Sequence, residues 1–469
     1  MNTQMSLGSA EQPVRIAIVG SGPSGFYAAE ALLQSTYVVE ITMIERLPVP
    51  HGLVRSGVAP DHPKLKQSTL VFDKIAAHPR FHFLGNVEVG RDISIDDLLR
   101  THHGIVFAYG ASLDRRVGIE GEDLPGSHSA TEFVGWYNGH PDYRDLAFDL
   151  DQEAAVIIGQ GNVALDVARI LSKPVDSFRH TDIAEHALDA LSKSRLREIH
   201  VVGRRGPAQA KFTPTELREF GTISECAARV DPEQLALDEV SQLEASDKRY
   251  RNIATNLGIL AGFGSAAESD AARRCYFHFL RNPVEVLGEK RVTGIRFAKT
   301  RLVGEAFHQS TLDTIETVDI DAGLLFRSVG YRGRPILDLP FNAARGTLRH
   351  LGGRLVGEDG TVCYGLYATG WIKRGPNGII GTNRADSLET VATLLTDMPH
   401  LVRCDKSGAI GVAEILQRQG KRYVSYQDWS RINAAEIARG ELTGKPREKF
   451  ARVAEMLAAC MGAESAQST

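Results

Sequence analysis

Val14-Arg15-Ile16-Ala17-Ile18-Val19-Gly20-Ser21-Gly22-Pro23-Ser24-Gly25 is the stretch that decides the fold. Its first six residues, apolar apart from Arg15, read as a short buried strand. The G-x-G-x-x-G turn follows at once. Phe26, Ala29 and Leu32/Leu33 then recur at helical spacing, so strand, turn and helix succeed one another without a linker. Each glycine has its own task. Gly20 permits the tight turn, Gly22 lets a pyrophosphate approach the backbone, and Gly25 lets the helix close on the strand. The free N–H groups of the helix N-terminus supply partial positive charge to a phosphate. The next strand, Val38 to Ile44, ends in Glu45, which stands 20 residues beyond Gly25. A carboxylate there accepts hydrogen bonds from ribose hydroxyls and repels a 2′-phosphate, so the turn selects FAD or NAD over NADP.

The same unit occurs a second time. Ala155 to Ile158 read as a strand, Gly159-Gln160-Gly161-Asn162-Val163-Ala164 as the G-x-G-x-x-A form of the turn, and Leu165 to Leu171 as the helix. A polar, helix-like stretch covers 172–197. The strand after it, Ile199 to Val202, runs into Gly203-Arg204-Arg205. Adjacent guanidiniums suit a dianionic phosphate, so this copy is expected to bind NADP(H), with Arg204 and Arg205 on the 2′-phosphate. One FAD-type and one NADP-type turn in one chain imply hydride transfer from nicotinamide to flavin.

Further strands are expected at 81–89 and 105–109, and short strands alternate with turns over 284–329. The last seventy residues are expected to be helical, for example at Ala413–Gln417 and Phe450–Leu457, and the small, polar residues 1–12 and 462–469 to be disordered. The net charge of −4 offers nucleic acid no global basic field. No apolar run approaches the ~18 residues that cross a bilayer, and no signal peptide or membrane insertion is expected. The five cysteines (226, 275, 363, 404, 460) lie far apart, without the C-x-x-C or C-x₄-C pairs of disulfide reductases or a clustered metal-ligand set. No metal site is expected, and the cysteine usage points to the cytoplasm.

The segment Gly52-Leu53-Val54-Arg55-Ser56-Gly57-Val58-Ala59-Pro60-Asp61-His62-Pro63-Lys64, with Gly159–Arg169, Gly203–Glu219 and Trp371–Gly381, resembles the adrenodoxin-reductase type of ferredoxin–NADP reductase. The likeness runs from about residue 14 to about residue 457. It implies an α/β flavoprotein with two Rossmann-like dinucleotide-binding domains, the NADP domain (113–334) inserted into a discontinuous FAD domain (13–112 and 335–469). By motif it places FAD against Gly20, Gly22, Gly25, Glu45, Leu53, Val89, Trp371 and the Gly378-Ile379-Ile380 backbone. NADP falls to Arg115, Gln160, Gly161, Asn162, Val163, Arg204, Arg205 and Glu216, with Gly378 at the nicotinamide end.

His62, from A-P-D-H-P, and Glu219, the second acid of E-L-R-E, are implied as the pair that orients the nicotinamide and manages protons. One departure stands out: the position before Gly52 is aromatic in this type, and here it is His51, a residue expected near the flavin.

The implied acceptor is a ferredoxin-type iron–sulphur protein. Lys248, Arg249, Arg251, Arg273 and Arg274 are the candidate docking cations, and the chain is expected to be a monomer or weak dimer. Two alternatives share the two-turn plan: a glutamate-synthase small-subunit-like flavoprotein, and a non-catalytic FAD/NADP-binding sensor.

Overall fold

The computed structural model describes residues 7–401 and 404–460. The chain divides into two units. One holds everything up to Leu113, then Asn138–Pro141, then Gly330 onward; the other holds Asp114–Tyr137 and Asp142–Val329.

The first unit is built on a seven-stranded sheet. Its centre is the strand Val14–Val19, paired in parallel with Val39–Glu45 on one side and Gly104–Phe107 on the other. Phe81–Gly85 lies beyond Val39–Glu45 and Val362–Ala368 beyond Gly104–Phe107, also in parallel. Alternate residues of Val14–Val19 feed different cores. Ile16 and Ile18 pack with Phe26, Ala29 and Leu32 of the helix Pro23–Leu33, whereas Ala17 and Val19 pack with Ile44, Ile105 and Phe107. A strand covered on both faces has no polar side, which is why the sequence shows an apolar run in place of alternation.

The second unit carries an all-parallel six-stranded sheet in the order Ser127–Ser129, Leu324–Arg327, Ala154–Ile158, Glu198–Val202, Arg273–His278, Cys226–Val230. The antiparallel strands Arg281–Leu287, Gly294–Val303 and Ser310–Asp321 form a separate sheet. The strand order reverses at Val14–Val19 in the first unit and at Ala154–Ile158 in the second, so in each a crevice opens at that strand's carboxyl end, beside the glycine turn.

Several sequence expectations shift. Residues 7–12 are tied down: Gly8 N–H donates to Gln12 O at 2.8 Å, and Val38 N–H to Gly8 O at 2.8 Å. Residues 1–6 and 462–469 lie outside the described residues. The stretch 172–197 resolves into a short 3₁₀ turn, Val175–Phe178, and the helix Glu185–Ser192. The last helix starts at Val453, because the Phe450 N–H is drawn to the buried Glu436 carboxylate at 3.0 Å. Among the described residues no helix is long and apolar enough to cross a membrane.

Candidate dinucleotide sites

In the first turn the Gly20 N–H donates to Ile44 O at 2.8 Å. Gly20 has φ of 105°, and a Cβ there would sit 2.6 Å from Ala108 O, across the switch point. A Cβ on Gly25 would sit 2.1 Å from Gly20 O, whereas one on Gly22 would meet nothing within 4 Å. The turn is therefore packed tight at its ends and open in the middle, as a phosphate cradle requires. Pro23 occupies the first helical turn, where its missing N–H costs nothing. Glu45 closes the cradle: Oε2 accepts from Ser21 N (3.0 Å) and Ser21 Oγ (2.7 Å), and Oε1 from Leu47 N (3.1 Å). A carboxylate has about four lone-pair positions, so acceptor capacity remains for a ribose hydroxyl. Glu45 also lines a pocket with Leu47, Gly52, Arg55, Asn138 and His140.

The other flavin candidates of this unit lie on its surface or in its core. Leu53 starts the short helix Leu53–Ser56 and is exposed, and Val89 is buried. Trp371 starts the helix Trp371–Arg374 and packs on Tyr331 with ring centroids 5.6 Å apart. Gly378, with φ of 87°, and the exposed Ile379 lead into Ile380, the first residue of the helix Ile380–Asp397. That helix is fastened to the first one through Asn383 Oδ1, which accepts from Ser24 Oγ at 3.0 Å, and through Ser387 Oγ, which donates to Ser24 O at 2.9 Å. His62 is half-buried at the start of the helix Pro63–Lys66.

His51 holds the turn by its backbone, N–H to Ser21 O at 3.0 Å, with φ of 83°. Its buried imidazole turns inward among Phe26, Phe72 and Trp429, with Nε2 3.1 Å from Asp73 Oδ1. Burial lowers the His51 pKa below the ordinary histidine value.

The second turn repeats the plan. Gly159 N–H donates to Val202 O at 2.9 Å, a Cβ on Gly159 would sit 2.3 Å from Ser328 O, and one on Gly161 would meet nothing within 4 Å. Here side chains tie the turn to its surroundings. Gln160 Nε2 donates to His278 O at 3.2 Å, and Asn162 Oδ1 accepts from Thr213 N at 2.8 Å. Val163 is half-buried in the first helical turn.

Arg204 is exposed and Arg205 half-buried, and among the described residues neither guanidinium has a carboxylate within ion-pair distance. Burial and the neighbouring Arg204 charge lower the Arg205 pKa. Two like charges without an ion-pair partner, with Glu244 acting on Arg205 only from beyond that distance, form a site for a dianion. Two buried oxygens nearby in sequence, Glu216 Oε2 and Thr213 Oγ1, have no hydrogen-bond partner. Buried polar atoms are normally paired, so both ask for ligand groups.

Glu219 ends the helix Pro214–Glu219, with Oε2 3.4 Å from Nε of the wholly buried Arg169, whose Nη2 lies 2.8 Å from Asp166. Arg115 is exposed.

The candidate docking cations do not act as one patch. Arg249 is neutralised by Asp247, with Nη2 2.6 Å from Oδ2, and the Arg273 guanidinium is spent on the carbonyls of Leu196, Ser172 and Lys173. All five cysteines are free. Sequence reasoning missed Thr213, Arg169, Arg374 and Asn138–Pro141. Only Thr213, in the Thr213-Pro214 pair before a helix, carried a local signal, as a residue that starts a helix.

Residues 14–202 match the model of the pyridine nucleotide-disulphide oxidoreductase family. The chain is 43% identical over 456 residues to the mitochondrial NADPH:adrenodoxin oxidoreductase of Salvelinus fontinalis, covering 94% of this chain and 90% of that one. It is 42% identical over 463 residues to the NADPH-ferredoxin reductase FprA of Mycobacterium tuberculosis, covering 96% and 100%. The solved structure of Mycobacterium tuberculosis FprA in complex with NADPH superposes with a TM-score of 0.88 at 41% identity, over 96% of this chain and 100% of that one.

Proposed function

This chain belongs to the adrenodoxin-reductase type of ferredoxin–NADP reductase, and on that premise we propose how its residues divide the work. It is a flavoprotein oxidoreductase that uses FAD and NADP(H) and passes electrons from NADPH to a ferredoxin-type iron–sulphur protein. The finer assignment, to ferredoxin–NADP⁺ reductase with a small ferredoxin as acceptor, is the reading that the residues support. The unpaired Arg204–Arg205 pair, set against Glu45 at the equivalent place in the other turn, carries its NADP(H) half, and the likeness to NADPH-ferredoxin and NADPH:adrenodoxin reductases supports the acceptor.

FAD, when bound, takes a hydride from reduced nicotinamide and gives electrons up singly. The protein's part is binding, orientation and charge. The first unit holds FAD. Gly22 leaves the room, and the N–H groups at the start of Pro23–Leu33 face the pyrophosphate. Glu45 accepts from the ribose and excludes a 2′-phosphate. The N–H groups of Gly378, Ile379 and Ile380, at the start of an 18-residue helix, favour negative charge on the flavin pyrimidine. Leu53, Val89 and Trp371 pack against the cofactor.

The second unit holds NADPH. Gln160, Gly161, Asn162 and Val163 cradle its pyrophosphate, Arg204 and Arg205 take the 2′-phosphate, and Arg115 adds a further cation. Glu216 Oε2 and Thr213 Oγ1 take up ligand donors. Glu219, positioned by Arg169, and His62 orient the nicotinamide and manage its proton balance. The open space at Gly22 and Gly161 supports the fit of a dinucleotide to each turn, and the orphaned oxygens of Thr213 and Glu216 support it further in the second.

Cytochrome c reduction by the FAD-loaded protein and NADPH, with and without added ferredoxin, tests the acceptor. Ferredoxin is expected to raise the rate strongly. A rate indifferent to every ferredoxin tried would remove the ferredoxin assignment while leaving the NADPH–FAD half intact.

A further inference from the structure

We propose that Arg374 is a ligand of FAD, holding negative charge of the cofactor where the first turns of two helices are joined; the proposal rests on the FAD reading above. Arg374 is the last residue of the helix Trp371–Arg374, and Gly375 beyond it has φ of 85°. Its guanidinium is fixed on one side: Nη2 donates to Asn383 Oδ1 at 2.7 Å and to Thr382 Oγ1 at 3.3 Å. Asn383 Oδ1 also accepts from Ser24 Oγ at 3.0 Å. The arginine is thus one side chain removed from the opening turn of Pro23–Leu33, and it is bonded directly to the opening turn of Ile380–Asp397. Both turns carry free N–H groups and partial positive charge.

The other side of the guanidinium has no protein partner. Nη1 is shut off from solvent and makes no hydrogen bond. Among the described residues no carboxylate lies within ion-pair distance of Arg374. Its neighbour Lys373 shows what a structurally satisfied cation looks like at this place. The Lys373 ammonium lies 3.0 Å from Asp386 Oδ1 and 3.0 Å from Glu389 Oε2, and it donates to Thr390 Oγ1 at 3.1 Å. Asp386 and Glu389 are within ion-pair distance of Lys373, whereas Arg374 has no such partner. Burial lowers its pKa, and the Asp386 charge, beyond ion-pair distance, offsets that only in part.

A half-buried guanidinium whose Nη1 is shut off from solvent and open, beside two helix N-termini, is complementary to an anionic oxygen. FAD offers two sources: the diphosphate, which is always charged, and the pyrimidine edge of the flavin, which gains charge on reduction.

The experiment measures FAD dissociation and the flavin reduction potential for wild type, Arg374→Met and Arg374→Lys. Arg374→Met is expected to weaken FAD binding about 10- to 100-fold, with partial recovery in Arg374→Lys. An unchanged potential with weakened binding assigns the contact to the diphosphate, because both redox states lose equally. A fall in potential assigns it to the pyrimidine edge, because the reduced state loses more. Should Arg374→Met not fold, Arg374→Gln provides the same two readings. Affinity and potential both equal to wild type in a folded variant overturn the proposal. A wild-type protein that takes up no FAD is a separate failure, and it overturns the underlying reading as well.

Discussion

The two glycine turns solve one backbone problem and two different ligand problems. Gly20 and Gly159 are both pinned by their N–H to the neighbouring strand and pressed against the strand across the switch point, by Ala108 O and Ser328 O. Gly22 and Gly161 both face open space. The third position differs: Gly25 lies too close to Gly20 O for any side chain, whereas Ala164 is buried without difficulty. The larger difference is electrostatic. Glu45 is folded back onto its own turn through Ser21 and Leu47, a self-contained acceptor, whereas Arg204 and Arg205 stand without an ion-pair partner. A common fold thus fixes where a dinucleotide lies, and the charge at the end of the second strand fixes which one.

The largest expected effect comes from erasing that contrast. Arg204→Gln with Arg205→Gln removes two charge-assisted contacts worth roughly 1.5–3 kcal/mol each, so the KM for NADPH should rise by about a hundred-fold or more. The KM for NADH should move little. Equal rises for both nucleotides would break the comparison. Next in size is the open middle position. Gly22→Ala should weaken FAD binding by about 10-fold or more, through loss of close backbone approach, while the melting temperature of the cofactor-free protein stays near wild type. Gly161→Ala should do the same for NADPH and leave FAD alone.

The third position predicts an asymmetry in stability. Gly25→Ala forces an overpacked contact costing about 1–3 kcal/mol, whereas Ala164→Gly costs about 0.5–1 kcal/mol through backbone entropy, both readable by chemical denaturation. Similar losses at the two sites would mean the helices approach their strands equally.

The effect that is smallest at neutral pH is a pH dependence shared by the units. Burial pushes His102 in the first unit and His278 in the second down to about 3. Below the ordinary value near 6.5 the unfolded chain binds these protons and the folded chain does not, so stability falls as pH drops from about 6.5 towards 3. His102→Gln or His278→Gln should each flatten that slope by at most about 1.4 kcal/mol per pH unit. An unaltered slope in either variant would mean its histidine titrates normally in the folded protein.

Both turns, their flanking strands and the acid-versus-arginine contrast were legible because strand, turn, helix and closing residue are contiguous in sequence. What escaped was tertiary. Arg374 reads as one more basic residue in Lys373-Arg374. Only the packing that gives Lys373 its carboxylates, and leaves Arg374 with a buried open donor, separates the two. Asn138–Pro141 lines the Glu45 pocket from a stretch whose sequence neighbours all belong to the other unit. His51 was singled out from sequence by its type, but its inward turn towards Asp73 depends on a positive φ and on aromatic neighbours far along the chain. The charge run around Arg249 looked like a surface patch because sequence does not show which cations Asp247 and the main-chain carbonyls consume.

The central claim is that one turn carries a flavin and the other a nicotinamide nucleotide that reduces it. Anaerobic titration of the FAD-loaded protein with NADPH, and in parallel with NADH, tests it directly. NADPH is expected to bleach the yellow flavin absorbance near one equivalent, and NADH to do so only at large excess. A flavin that stays yellow with NADPH, or that bleaches equally with both nucleotides, would contradict it.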